Sequence, residues 1–161
     1  MLGDALFLLV DDNDDDIRLV RRAFTKARVT NPLQIVRSGE EAIEYLIGKE
    51  RYGNRREYPL PGLVLLDIKM PGLDGLDVLQ WIRQQPDLRE VGVVMLTGSD
   101  DMRDVNRAYQ LGADSFLVKP LDFERFAEIS QALAGCWAWM DKTPEPHCAA
   151  QSKPMSTISI S

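Results

Sequence analysis

The chain has 161 residues, 45% of them hydrophobic and 27% charged, with a net charge of −6. Such a composition suits one soluble globular domain with a sizeable core, and its negative balance argues against nucleic acid or an anionic membrane as a direct partner. A single histidine, His147, and two cysteines, Cys136 and Cys148, argue against a Ser-His-Asp triad, a disulfide framework and a zinc site.

The first predicted strand is "ALFLLV" (Ala5–Val10), and it runs straight into "DDNDDD". So much negative charge at the end of a buried strand is costly unless it is solvated or meets a cation. The next stretch places Ile17, Val20, Phe24 and Ala27 on one helical face. Asn13 or a neighbouring aspartate caps that helix, and Asp14, Asp15 and Asp16 are expected as solvated residues at its positive end. "LQIV" (Leu33–Val36) is the second strand, and Ala42, Ile43, Leu46 and Ile47 mark a helix after "SGEE". A polar loop, Gly48–Gly62, leads to the third strand, "LVLL" (Leu63–Leu66). Asp74 reads as the cap of a third helix carrying Leu76, Leu79 and Ile82, which should end before Pro86. "VVML" (Val93–Leu96) is the fourth strand, and Val105, Ala108, Tyr109 and Leu111 mark a helix stopped by Gly112. "SFLV" (Ser115–Val118) is the fifth strand, followed by a helix carrying Phe123, Phe126, Ile129 and Leu133.

Short, almost wholly apolar strands alternating with amphipathic helices predict an α/β fold: a (βα)5 doubly wound, five-stranded parallel sheet. Residues 1–140 read as its domain. Residues 141–161, rich in Pro, Ser and Thr, read as a disordered tail dispensable from about Thr143 onward. No apolar run approaches the ~18 residues that span a bilayer, and Asp4 interrupts any signal-peptide pattern. The expected location is therefore cytoplasmic, without membrane contact.

Doubly wound sheets build their sites at the carboxyl ends of the strands. Asp11 and Asp12 follow the first strand, Asp67 ends the third, Thr97 the fourth and Lys119 the fifth. Three converging carboxylates make a hard-oxygen site suited to Mg²⁺, and the ion would relieve their mutual repulsion. Lys119 and Thr97 suit an anion bound alongside. Gly98 would leave room beside Thr97, and Gly75 would relieve crowding where the "MPGLDG" loop enters its helix.

The ordered set "LLVDDN", "LLDIKMPGLDG", "MLTG" and "LVKPLD" resembles the receiver domains of two-component response regulators, over about Leu6 to Trp137. Within that family the chain is most similar to single-domain, phytochrome-associated regulators, through "AYQLGADSFLVKPLDFERF", the long loop before the third strand and the Trp-containing end of the last helix. The resemblance implies a flavodoxin-like receiver fold in which Asp67 accepts a phosphoryl group from a histidine kinase, of phytochrome type if the closer likeness holds. It implies Mg²⁺ held by Asp12, Asp67 and the Lys69 backbone carbonyl, with Asp11 binding directly or through water. Thr97 and Lys119 would contact phosphoryl oxygens, and Lys119–Pro120 would be a cis peptide. Phe116 would be the aromatic switch residue, turning inward as Thr97 moves, and the signal would leave through the fourth helix, fifth strand and fifth helix. That face would meet an unknown downstream protein or a second copy in a homodimer. Such a receiver is not an enzyme beyond its own phosphorylation and dephosphorylation.

Two other functions use the same residues. A Mg²⁺-dependent phosphohydrolase working through an aspartyl-phosphate would usually need a second acid two residues after its nucleophile, where this chain has Lys69. A phosphorylation-independent adaptor on the same fold would not need the acid–Thr–Lys set. Lys69 and Ser99, two residues after Asp67 and Thr97, would border the phosphoryl group and lengthen its life; for Lys69 the alternative is a side chain extended into solvent. Trp137, Trp139 and Met140 read as helix-end packing.

Overall fold

The computed structural model describes residues 5–98 and 102–119. Five strands form one sheet: β1 (Phe7–Val10), β2 (Leu33–Val36), β3 (Leu63–Asp67), β4 (Gly92–Thr97) and β5 (Ser115–Val118). All neighbours are parallel, in the order β2-β1-β3-β4-β5. Four helices connect them: α1 (Asp14–Lys26), α2 (Gly39–Ile47), α3 (Gly75–Gln84) and α4 (Met102–Gln110). The expected fifth helix, the Trp-containing end, Ser99, Pro120, His147, both cysteines and the tail lie outside the described residues.

Strand side chains alternate between faces, so each strand contributes to two cores. On one face Leu8, Val10, Val64, Leu66, Val93, Met95 and Phe116 pack against α2, α3 and α4. On the other, Phe7, Leu9, Leu63, Leu65, Val94, Leu96 and Leu117 meet Ile17, Val20, Ala23 and Phe24 of α1. Burial of both faces is why these strands are almost continuously apolar.

Local signals set the helix ends. The Asn13 side chain accepts from the amides of Asp15 and Asp16 at the start of α1, and Asp74 with Asp77 makes a reciprocal capping box on α3. α3 stops at Gln84, two residues before Pro86, and Gly112 takes φ 103° after α4. Ile47 departs from expectation: it is 55% exposed. The buried stripe of α2 runs instead through Ala42, Tyr45 and Leu46.

The segment after α2 is more ordered than a polar loop. Glu50–Gly53 forms a 3-10 turn, and Tyr45 meets Tyr52 at a tilt and Tyr58 edge-on, with ring centroids 4.9 and 6.0 Å away. Arg55 donates to the carbonyls of Tyr45 and Leu46, both at 2.8 Å, and so closes the carboxyl end of α2. At the other end of the sheet, Asp114 accepts from the Val93 amide at 2.8 Å and the Arg83 guanidinium at 3.2 Å, fixing β4 against β5.

Candidate metal centre

Parallel pairing brings the ends of β1, β3, β4 and β5 to one edge. Asp11 leaves β1 with its amide donating to Val36 at 3.1 Å. Its side chain is fully buried, and Oδ1 accepts from the Asn13 amide at 3.0 Å. Asp67 is the last residue of β3, the central strand, and is 3% exposed. The Ile68 amide then donates to Leu96 at 2.9 Å, and the Gly75 amide returns to Ile68 at 2.9 Å. A Cβ on Gly75 would lie 2.2 Å from the Asp67 carbonyl oxygen. The "MPGLDG" turn thus has room only for glycine there.

Asp11, Asp12 and Asp67 each offer a carboxylate oxygen, and these oxygens lie within 4.8 Å of one another. Asp11 and Asp67 are buried, while Asp12 is exposed, leaving the group open on one side. Asp11 Oδ2 is buried and has no hydrogen-bond partner. An orphaned carboxylate oxygen within an all-oxygen acidic group fits a divalent cation, which takes oxygen ligands and offsets their charge.

Lys119 enters from the end of β5, its amide donating to the Thr97 carbonyl at 2.7 Å. Its Nζ donates to Asp16 at 2.6 Å and Asp67 at 3.1 Å, and stands 3.6 Å from Asp11 Oδ2. Burial pushes the Asp11 carboxyl up to about 6; Asp67 and Asp16 add to the rise, against the Asn13 amide and Lys119. Burial likewise raises Asp67, opposed chiefly by Lys119. Burial disfavours the Lys119 charge, but Asp16, Asp67 and Asp11 outweigh it and hold the ammonium above its ordinary value. Thr97 is buried at the end of β4, and a Cβ on Gly98 beside it would meet nothing within 4 Å.

One expectation needs correction. Asp14 and Asp15 are solvated, paired with Arg37 and Arg18 on the surface, but Asp16 is not: it holds Lys119. Its signal was in the helical period, for Asp16, Val20 and Ala23 share a stripe, and the last two are fully buried. Of the two readings of Lys69, this arrangement has the side chain extended towards solvent. It is 76% exposed, with Nζ 3.6 Å from Asp104 Oδ2 on α4. Phe116 is already inside, 8% exposed and edge-on to Tyr109 at 6.0 Å. With no hydroxyl to keep at the water, its ring gains by burial.

A five-stranded parallel sheet in this order, with acids, threonine and lysine at its carboxyl edge, defines a flavodoxin-like receiver fold. The chain matches the response regulator receiver domain over residues 7–131 and belongs to that family. It is 36% identical to the probable methanogenesis regulatory protein FilR2 of Methanothrix harundinacea, over 88% of each chain. It is 34% identical to the response regulator Rcp1 of Synechocystis sp., over 82% of this chain and 88% of that one. The Mn²⁺-bound structure of Rcp1 superposes with a TM-score of 0.67, covering 83% and 94% of the two chains at 33% identity. The bacteriophytochrome response regulator AtBRR superposes at 0.72 with 39% identity, over 82% of this chain and 93% of its own. Among the described residues no helix is long and apolar enough to cross a membrane.

Proposed function

We propose that this chain is a single-domain response regulator whose Asp67 accepts a phosphoryl group from the phosphohistidine of a histidine kinase. The observation that carries the reading is the Asp67 carboxylate itself. It ends the central strand, 3.1 Å from Lys119 Nζ and within 4.8 Å of the Asp11 and Asp12 oxygens. Asp11, Asp12 and Asp67 would hold Mg²⁺, with the Lys69 backbone carbonyl as a further ligand. Bound there, the ion supplies positive charge to phosphoryl oxygens. The Mn²⁺-bound form of Rcp1 supports a divalent ion in this chain too.

The protein's own part is positioning and charge. An Asp67 carboxylate oxygen bonds to phosphorus as the bond from phosphorus to the donor imidazole nitrogen breaks. The imidazole keeps the electron pair and takes up a proton. Lys119, held between Asp16 and Asp67, presents its ammonium to the transferred oxygens, and the Thr97 hydroxyl donates to another. Open space at Gly98 admits the donor. Asp16 keeps Lys119 from collapsing wholly onto Asp67, and so belongs to the machinery.

The chain acts on no substrate beyond its own phosphoryl group, because Lys69 stands where a phosphohydrolase would keep a second acid. The receiver spans residues 1–140, and 141–161 is a tail without a part in phosphorylation. The likeness to AtBRR supports a phytochrome-type kinase as the donor. Output passes from the α4–β5 face to a downstream protein or a second copy, in the cytoplasm. The experiment is incubation with acetyl phosphate and Mg²⁺ followed by intact mass measurement. One phosphoryl adduct is expected, and none in excess chelator. Labelling that ignores the chelator would overturn the metal assignment.

A further inference from the structure

The Lys69–Asp104 pair joins the loop after Asp67 to α4. Lys69 lies two residues after Asp67, in the loop that leaves the site, and its side chain is 76% exposed. Asp104 sits in the first turn of α4 and is only 21% exposed. The two charged atoms are 3.6 Å apart. Asp104 Oδ2 is buried with no hydrogen bond, and so is the Tyr109 hydroxyl further along the same helix. A buried carboxylate oxygen without a hydrogen bond depends on a nearby cation for its charge to be tolerated. Here the cation is Lys69.

We propose that Asp104 is a positioning residue for the phosphoryl chemistry, holding the Lys69 ammonium away from Asp67. The proposal rests on Asp67 being the phosphoryl acceptor. A phosphoryl group on Asp67 adds negative charge two residues from Lys69, and it then competes with Asp104 for one ammonium. When Lys69 stays with Asp104, water has its approach in line with the bond to be broken. Water oxygen bonds to phosphorus as the bond to the Asp67 oxygen breaks; the carboxylate is regenerated, one water proton stays on the departing inorganic phosphate and the other passes to solvent. When Lys69 turns to the phosphoryl oxygens, it neutralises their charge and occupies that approach. Asp104 thereby favours a short-lived phosphoryl group. Because the same pairing ties α4 to the site loop, departure of Lys69 also removes the cation 3.6 Å from the buried Asp104 oxygen.

The test is the rate of phosphoryl loss after donor removal, in wild type, Asp104→Asn, Lys69→Ala and the double variant. An ion pair whose lysine is solvent-exposed biases such a competition only modestly, so Asp104→Asn is expected to slow the loss by about twofold to fivefold. Asp104→Glu, which keeps the charge, should restore most of the wild-type rate. In the Lys69→Ala background the Asp104→Asn substitution should change nothing. This non-additivity is the readout that a merely structural role for Asp104 would not produce. A rate unchanged in Asp104→Asn, or slowed equally without Lys69, would overturn the inference while leaving Asp67 as acceptor. A wild-type chain that takes no phosphoryl group at all would overturn the functional reading, and this inference with it.

Discussion

Gly75→Ala is expected to destabilise the fold by about 3 kcal/mol, at the upper end of overpacking penalties, and to lower the melting temperature by ~10 °C. The new methyl carbon would stand 2.2 Å from the Asp67 carbonyl oxygen, 2.9 Å from the Asp67 carbonyl carbon and 2.9 Å from the Ile68 Cα. All three are backbone atoms, so no side-chain rotation can relieve the contact. The backbone that must move is the one carrying Asp67, and its displacement also takes the carboxylate out of register with Lys119. Thermal unfolding and phosphoryl labelling of the same variant test the two effects together. A variant that melts and labels like wild type would show that the turn is slack.

Asp11→Asn is expected to do the opposite in the absence of metal. The Asp11 carboxyl titrates near 6 in the folded chain against an ordinary 3.8. A carboxyl whose folded value is raised binds its proton more tightly folded than unfolded, so it favours folding at low pH. That contribution is lost as pH rises from the unfolded to the folded value, roughly pH 4 to 6, and above this window the buried charge is a net cost. Asparagine removes the charge and keeps an oxygen for the Asn13 amide. With chelator at neutral pH the variant should gain on the order of 2 kcal/mol, and near pH 4 the gain should vanish because wild-type Asp11 is then largely protonated. Mg²⁺ should reverse the order by stabilising wild type and not the variant. Melting curves at both pH values, with and without Mg²⁺, decide it. A variant less stable than wild type in chelator at neutral pH would contradict the electrostatic account of the site.

The sheet and the acidic edge were legible because their signals are local and strong. A strand buried on both faces must be apolar throughout, and its last residues then announce what stands at the edge: Asp11, Asp67, Thr97, Lys119. What escaped reading depends on distance or on a rotamer. Arg55 looked like one charge in a polar loop, since nothing near it in sequence shows that its guanidinium reaches the carbonyls of Tyr45 and Leu46. Lys69 was correctly placed beside Asp67 along the chain, yet a flexible four-carbon stem can reach either the acids or α4, and Asp104 decides the direction. Asp16 was hidden by its neighbours: a run of aspartates reads as one solvated helix start, although the helix turns only its third member towards Lys119. The conformation of Phe116 is likewise not written in its position. An aromatic ring at that register can lie inside or outside, and here Tyr109 offers it an edge-on partner.

The central claim is that Asp67, among several clustered acids, carries the phosphoryl group. The measurement is intact mass, with peptide mapping of any adduct, for wild type and Asp67→Asn after acetyl phosphate and Mg²⁺. The account predicts one adduct on the wild-type peptide containing Asp67 and none on the variant, with both proteins folded by circular dichroism. An adduct of undiminished yield on the folded Asp67→Asn variant would contradict it.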